Sequence, residues 1–170
     1  MATWFTADTH FGHGGALGLF RRPFGSVAAM DTAMIERWRT RVAPGDDVWH
    51  LGDVAVGPKP ERLDAILDAL PGTIRLVAGN NDDPVREHPR WAEATDYAEI
   101  TLDGARLVLC HYPLRSWRWQ HRGGWNLHGH SHHALAPLTR QRDVGVDGWD
   151  FAPVGLEALR KRRAPRKAGS

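Results

Sequence analysis

The chain has 170 residues and 42% hydrophobic content, enough for one globular domain with a core of its own. Its one cysteine, Cys110, excludes an internal disulfide and any multi-cysteine zinc site, and no apolar run nears the roughly 20 residues that span a bilayer. Residues 160–170 hold six of the 22 Lys and Arg and no acid, so the rest sets 16 basic against 20 acidic side chains and carries a formal charge of −4.

An acidic body argues against a nucleic-acid-binding surface, and the basic stretch 161–170 reads as a solvated, disordered tail. Residues 1–160 are expected to form a single domain. Without a signal peptide or a membrane span, a cytoplasmic location is expected. Nothing in the pattern sets an oligomeric state.

Residues 3–6 predict a short strand, followed at once by Asp8 and His10. Residues 12–25 read as loop, with Gly14-Gly15 and the pair Arg21-Arg22 before Pro23. Ser26 is placed to cap a helix whose apolar positions Val27, Met30, Met34, Ile35, Trp38 and Val42 keep a 3.6-residue period; Pro44-Gly45 ends it. Residues 47–51 predict the next strand, broken by Gly52-Asp53. A second helix starts near Pro60, sets Leu63, Ile66, Leu67 and Leu70 on one face, and stops at Pro71-Gly72. Residues 73–78 are almost wholly apolar, hence a central strand, and deliver Gly79-Asn80-Asn81-Asp82. This β-α-β-α-β order argues a parallel sheet built by right-handed crossovers.

The second half changes style. Residues 100–102 and 105–110 flank Asp103-Gly104, a hairpin signal. A Trp- and Arg-rich loop, 113–124, precedes the short apolar segment 125–127. Residues 143–146 predict a last strand and 154–163 a closing helix. Parallel and antiparallel strands with flanking helices imply two packed sheets covered by helices.

Asp8, His10, Asp53, Asn80, His111, His130 and His132 each follow one of the short apolar runs. Strand ends can bring these donors to one edge of a sheet, enough to hold two metal ions. Asp8 and His10 lie two apart, on the same side of an extended segment, and His130 and His132 repeat that spacing. Asp53 is the natural bridge between two cations, because its glycine neighbour lets the chain turn sharply. Imidazole, carboxylate and amide donors without thiolate favour divalent manganese, iron, zinc, nickel or cobalt, manganese foremost, over calcium. Between two such ions a bridging water ionises near neutral pH and attacks phosphorus in line.

These strings resemble the calcineurin-like metallophosphoesterase superfamily, whose pattern is D-x-H, G-D, G-N-H-(D/E), H and G-H-x-H. The resemblance runs from Asp8 to His132, and the strings from Phe5 to His13, Arg22-Pro23-Phe24, His111-Tyr112-Pro113 and Val144-Gly145-Val146-Asp147 are similar to small bacterial and phage members. It implies an α/β fold, a four-layer α-β-β-α sandwich of two mixed sheets between helices. It also implies one metal on Asp8, His10, Asp53 and His132 and a second on Asp53, Asn80, His111 and His130.

One position departs: Asn81 stands where the family usually has histidine. That histidine is expected to stabilise the transition state and to help protonate the leaving oxygen. An amide can donate a hydrogen bond to a phosphoryl oxygen but cannot act as a general acid. Monoesters with poor leaving groups therefore suffer more than diesters with better ones. The expected activity is hydrolysis of a phosphodiester by in-line attack of a metal-bridging hydroxide. The alternatives are a phosphomonoesterase acting on a nucleotide or small phosphometabolite, and a catalytically silent metal-binding interaction module.

The catalytic candidates are Asn81 and His13, with His121 and His133 as other substitutes for the missing histidine. Arg21 and Arg22 are candidates to bind phosphate, since guanidinium matches its oxygens. Residues 117–122 form either an aromatic and basic wall that stacks a base or an ordinary loop packing its indoles. Asp82 is expected to orient a neighbouring ligand, His50 and His88 read as incidental, and Cys110 as buried and inert. The expected partner is a small phosphoester, a nucleotide among the choices.

Overall fold

A computed structural model describes residues 1–136 and 138–161. The expectation of a disordered tail falls, but for Lys161, outside the described residues, as do the last two positions of the predicted closing helix. In chain order the elements are β1 (Thr3–Thr6), α1 (Ala16–Leu19), α2 (Val27–Arg41), β2 (Asp47–His50), α3 (Pro60–Asp68), β3 (Thr73–Val77), β4 (Trp91–Thr95), β5 (Ala98–Leu102), β6 (Ala105–Leu109), β7 (Trp125–His128), β8 (Gln141–Asp143), β9 (Val154–Gly155) and α4 (Leu156–Lys161).

Helix α2 starts where the sequence demands it. Ser26 is extended and its Oγ accepts from the Ala29 N–H at 3.1 Å, satisfying one of the free donors of the first turn. Met30, Met34 and Trp38 recur every four residues on its buried face. Helix α3 opens on Pro60, whose missing N–H needs no partner there, and buries Leu63, Ile66 and Leu67. Both helices pack on the first sheet through a core that includes Val48, Ile74 and Leu76.

That sheet has the order β4-β3-β2-β1-β9, with β1 to β4 parallel and β9 antiparallel to β1. The second sheet has the order β5-β6-β7-β8; β5 and β6 are antiparallel across Asp103-Gly104, and the other pairs are parallel. The pleat sends alternate side chains to opposite faces. Ile74 and Leu76 therefore join the helix-side core, whereas Val77 joins Phe5, Leu51, Leu107, Leu109 and Leu127 between the sheets. The two mixed sheets agree with the predicted fold class. The loop 113–124 is tied to the second sheet at its start. Leu114 N donates to Asn126 Oδ1 (3.2 Å), and Gln141 Nε2 donates to Leu114 O (2.7 Å).

Three local expectations are corrected, and one strand, β4, is new. Residues 16–19, read as loop, make one helical turn, α1. The edge strand β4, Trp-Ala-Glu-Ala-Thr, carries no strand pattern and exists by pairing with β3 across a bulge at Ile74/Arg75. The last strand pairs over Gln141–Asp143, upstream of the predicted 143–146; beyond it Val144 N still donates to His128 O (2.8 Å), and Val146 N donates to Ala7 O (3.0 Å), so the chain passes from the second sheet to the end of β1. Val154–Gly155 forms the short strand β9, and the closing helix begins only at Leu156.

Candidate metal centre

The loops leaving β1, β2, β3, β6 and β7 meet at one common edge of the two sheets. Asp8 N donates to Gly52 O (2.9 Å), Gly129 N to His111 O (2.9 Å) and His130 N to Asp8 Oδ1 (3.0 Å), which stitches four of the loops together, and Asn81 N, after β3, adds the fifth by donating to Asp53 Oδ1 (3.0 Å). Asp8, His10, Asp53, His130 and His132 all have φ between 44° and 64°. L-residues adopt that left-handed conformation at a cost, and such strain gathers at functional sites. Gly52, at φ +91°, has no alternative: a Cβ there would sit 2.5 Å from Gly79 N and 2.6 Å from His111 Nδ1. A Cβ on Gly79 would lie 2.5 Å from Asp53 Oδ1. The glycines of the two motifs are thus what let Asp53 and His111 approach.

The seven predicted donors are brought together. The ligating atoms of Asp8, His10 and His132 lie within 4.8 Å of one another, and so do those of Asp8, Asp53 and His111. Asp8 is common to both groups, and Asp53 reaches from the second to the first, Oδ1 3.6 Å from His111 Nε2 and Oδ2 3.4 Å from His10 Nε2. Asn80 Oδ1 is 3.3 Å from His111 Nε2, and the His111 and His130 rings are 5.1 Å apart.

The chemistry of the donors fits a cation. Asp8 Oδ2 and His10 Nε2 are buried and have no hydrogen-bond partner among the described residues, which is costly unless something else satisfies them. Burial, with Asp143 nearby, pushes the Asp8 carboxyl well above its usual range, as expected for an anion placed where a positive charge belongs. Burial lowers His10 to about 3, so its imidazole is neutral and offers a lone pair. His111 Nδ1 lies 2.7 Å from Leu51 O; donation there leaves Nε2 free to ligate.

Around the donors runs a second ring of contacts. Asp82 accepts from the backbone N–H groups of Asp53 (2.7 Å), Val54 (2.8 Å) and Gly79 (2.7 Å), bracing the two glycine turns as predicted from its place in the motif. Asp147 Oδ2 lies 2.8 Å from His132 Nδ1 and accepts from Arg22 Nη2 at 3.0 Å, while Arg22 Nε reaches Oδ1 at 2.8 Å. Although burial opposes ionisation, these donors from His132 and Arg22 hold Asp147 down at about 2. Phe20 stacks on the His132 ring at 3.5 Å.

Arg22, a candidate to bind phosphate, is turned inward. Its side chain is fully buried and donates to Asp147, Thr9 O (2.8 Å) and Asp8 O (2.6 Å), so it holds the first metal-binding turn. Arg21 is exposed and follows Phe20 in the chain. Asn81 is tied to Asp53. Its side-chain amide donates to Asp53 Oδ2 at 2.7 Å and its N–H to Oδ1 at 3.0 Å, leaving one amide hydrogen for another acceptor. His13 is half-buried beside the cluster, Nδ1 3.3 Å from His10 Nδ1.

His133 is engaged with Asp143 and Gly145, and His121 is exposed on the loop 113–124. His50 is more than incidental: its Nε2 lies 3.0 Å from Thr9 Oγ1, inside the first turn. Cys110 is half-buried, and burial pushes its thiol up, away from thiolate. Sequence reasoning missed the roles of Phe20 and Asp147. Asp147 was within reach, as the last residue of the quoted Val-Gly-Val-Asp string; Phe20 left no signal.

The fold and the cluster together define a class, an α/β protein of two mixed sheets with a candidate metal-binding donor set at their common edge. The family model of the calcineurin-like phosphoesterase superfamily domain matches residues 1–148, and the chain belongs to that superfamily of metal-dependent phosphoesterases. The chain is 32% identical over 187 residues to the gene 66 protein of Mycobacterium phage D29, covering 89% of this chain and 91% of that one. It is 29% identical over 167 residues to an uncharacterized protein of Methanocaldococcus jannaschii, covering 93% and 89%. In fold it is similar to a protein of unknown function from Aquifex aeolicus, with a TM-score of 0.72, 24% identity and coverage of 94% and 97%. It is also similar to YfcE, a phosphoesterase from E. coli, with a TM-score of 0.50, 18% identity and coverage of 85% and 78%.

Proposed function

We propose that the protein hydrolyses a phosphodiester with two divalent transition-metal cations. Asp8, His10, Asp53 and His132 would hold one, and Asp53, Asn80, His111 and His130 the other. The observation that carries this reading is the Asp53 carboxylate, which turns one oxygen to His10 and the other to His111. When bound, the cations supply a nucleophile ionised near neutral pH and positive charge for the phosphoryl oxygens.

The chain's own residues set the preference. Asn81 keeps one amide hydrogen for a phosphoryl oxygen, but it has no proton to give a leaving group. Esters whose leaving group departs without protonation are favoured, which selects diesters over alkyl monoesters. Asp147 and Arg22 keep His132 oriented, and Phe20 covers its ring. The substrate class is a small phosphoester, nucleotides included.

The test is an assay of dialysed protein loaded with manganese, nickel or zinc on paired chromogenic mono- and diesters. Diester turnover well above monoester turnover is expected. The reverse order identifies a monoesterase. No turnover of either, with both cations bound, overturns the catalytic reading in favour of a binding module.

A further inference from the structure

The outer loop of the second sheet forms a site of its own. Residues 104–142 contain six arginines and no Asp or Glu, inside a body whose overall balance is acidic. At its centre is an open depression of about 340 Å³ lined by Trp117, Arg118, Trp119, Gln120, His121 and Arg122. The loop is built in advance. Trp117 is buried and its Nε1 donates to Gly124 O at 3.0 Å, while Gly124 N and Arg122 N both donate to Trp119 O at 2.8 Å. Trp119 is held at φ 63°, a left-handed backbone that bulky residues rarely adopt. Two guanidinium groups approach its ring, Arg118 at 4.5 Å and Arg106 at 5.9 Å.

This depression is separate from the metal centre. Trp119 sits by Arg106 and Gly124, at the end where β6 and β7 begin, since Trp125 pairs with Leu107. His111 leaves the other end of β6, five residues further on, roughly 16 Å away at strand rise. The aromatic and basic wall is therefore no part of the catalytic pocket.

We infer that the Trp117–Arg122 depression binds a nucleotide unit, its base stacked on Trp119 and its phosphate met by Arg122. An aromatic face beside cations takes a base and its phosphate together, whatever the base. Arg118 is also paired with Glu99, so part of its charge is answered. Arg122 is exposed and has no ion-pair partner among the described residues, which leaves its guanidinium open to a phosphate. A preformed loop binds without an ordering cost. The same chemistry is offered by a free nucleotide and by a single-stranded nucleic acid.

The test follows tryptophan fluorescence and the anisotropy of a labelled oligothymidylate in full-length, metal-chelated protein, with adenosine monophosphate as the free-nucleotide arm. Saturable binding is expected. Trp119→Leu should weaken it roughly fivefold or more, and Arg122→Glu should weaken it and make its salt dependence shallower by about one charge. Tighter binding of the oligonucleotide identifies a nucleic-acid strand as the source, and tighter binding of the monophosphate identifies a free nucleotide. Binding of neither, or binding that both variants leave unchanged, overturns the inference. Arg122 is exposed, so its variant remains decisive if Trp119→Leu fails to fold. The readout needs no catalysis, and its failure leaves the phosphodiesterase reading intact.

Discussion

Asn81 and Asp53 form the pair on which the chemistry turns, because the amide that replaces a histidine is also tied to the carboxylate that reaches both donor groups. Asn81→His restores a group able to carry a proton. It is expected to raise monoesterase relative to diesterase turnover in the metal-loaded protein; an unchanged ratio would mean that another residue sets the preference. Asp53→Asn keeps the shape and removes the charge. Metal content and activity are expected to fall together, and activity retained at full metal content would refute the bridging role. Asp147 acts through His132, so Asp147→Asn is expected to weaken metal binding by about 10–100-fold, read by metal titration with unchanged circular dichroism. The donors themselves were legible because each follows an apolar run and keeps its neighbours in the motif. Arg22 was not. Its string looked like a surface phosphate clamp, and only the path of the chain, which folds residues 20–22 back over Asp8 and Thr9, makes it an internal brace.

Helix α2 and strands β1 and β2 carry the first sheet, and their ends are held by single side chains. Removing the cap with Ser26→Ala is expected to cost about 1 kcal/mol, measured by urea unfolding; no change would mean that solvent serves the first turn equally well. At the opposite end Asp46 accepts from Ala2 N (2.7 Å), Ala43 N (3.0 Å) and Trp4 Nε1 (3.0 Å), joining the start of β1 to the exit of α2. The N–H of Ala2, then that of Ala43 and the Trp4 indole, lower its carboxyl from 3.8 to about 2. The folded state therefore binds this proton less readily than the unfolded chain. Its stabilising contribution is complete above pH 3.8 and is lost as the pH falls toward 2. Asp46→Asn is expected to flatten the acid limb of the stability curve in that window, and an identical limb would refute the assignment. Elements with strong periodicity, such as α2 and β3, were readable in advance. Strand β4 was not, because its Ala and Glu side chains are exposed and only the open edge of β3 makes it a strand.

At the scale of the whole molecule, the two sheets share a core and, at one edge, a cluster of carboxylates. Asp53, Asp143 and Asp147 all act on Asp8 to disfavour its charge. Cations bound only by the folded state offset that repulsion and add stability by mass action, about 2.7 kcal/mol per site at a hundredfold excess over the dissociation constant. For a chain of this size that corresponds to a melting shift of roughly 5–10 °C. Calorimetry with manganese and then with chelator is expected to show that difference, and Asp53→Asn to abolish it. The loss has a location. Residues 8–11, 52–55 and 129–133 come from both sheets and hold strained left-handed turns at Asp8, His10, Asp53, His130 and His132. Without cations nothing compensates the strain, so chelation should raise amide exchange there first, while β3 and α2 stay protected. A melt indifferent to metal, or exchange that rises evenly across both sheets, would mean that the donor cluster does not join them.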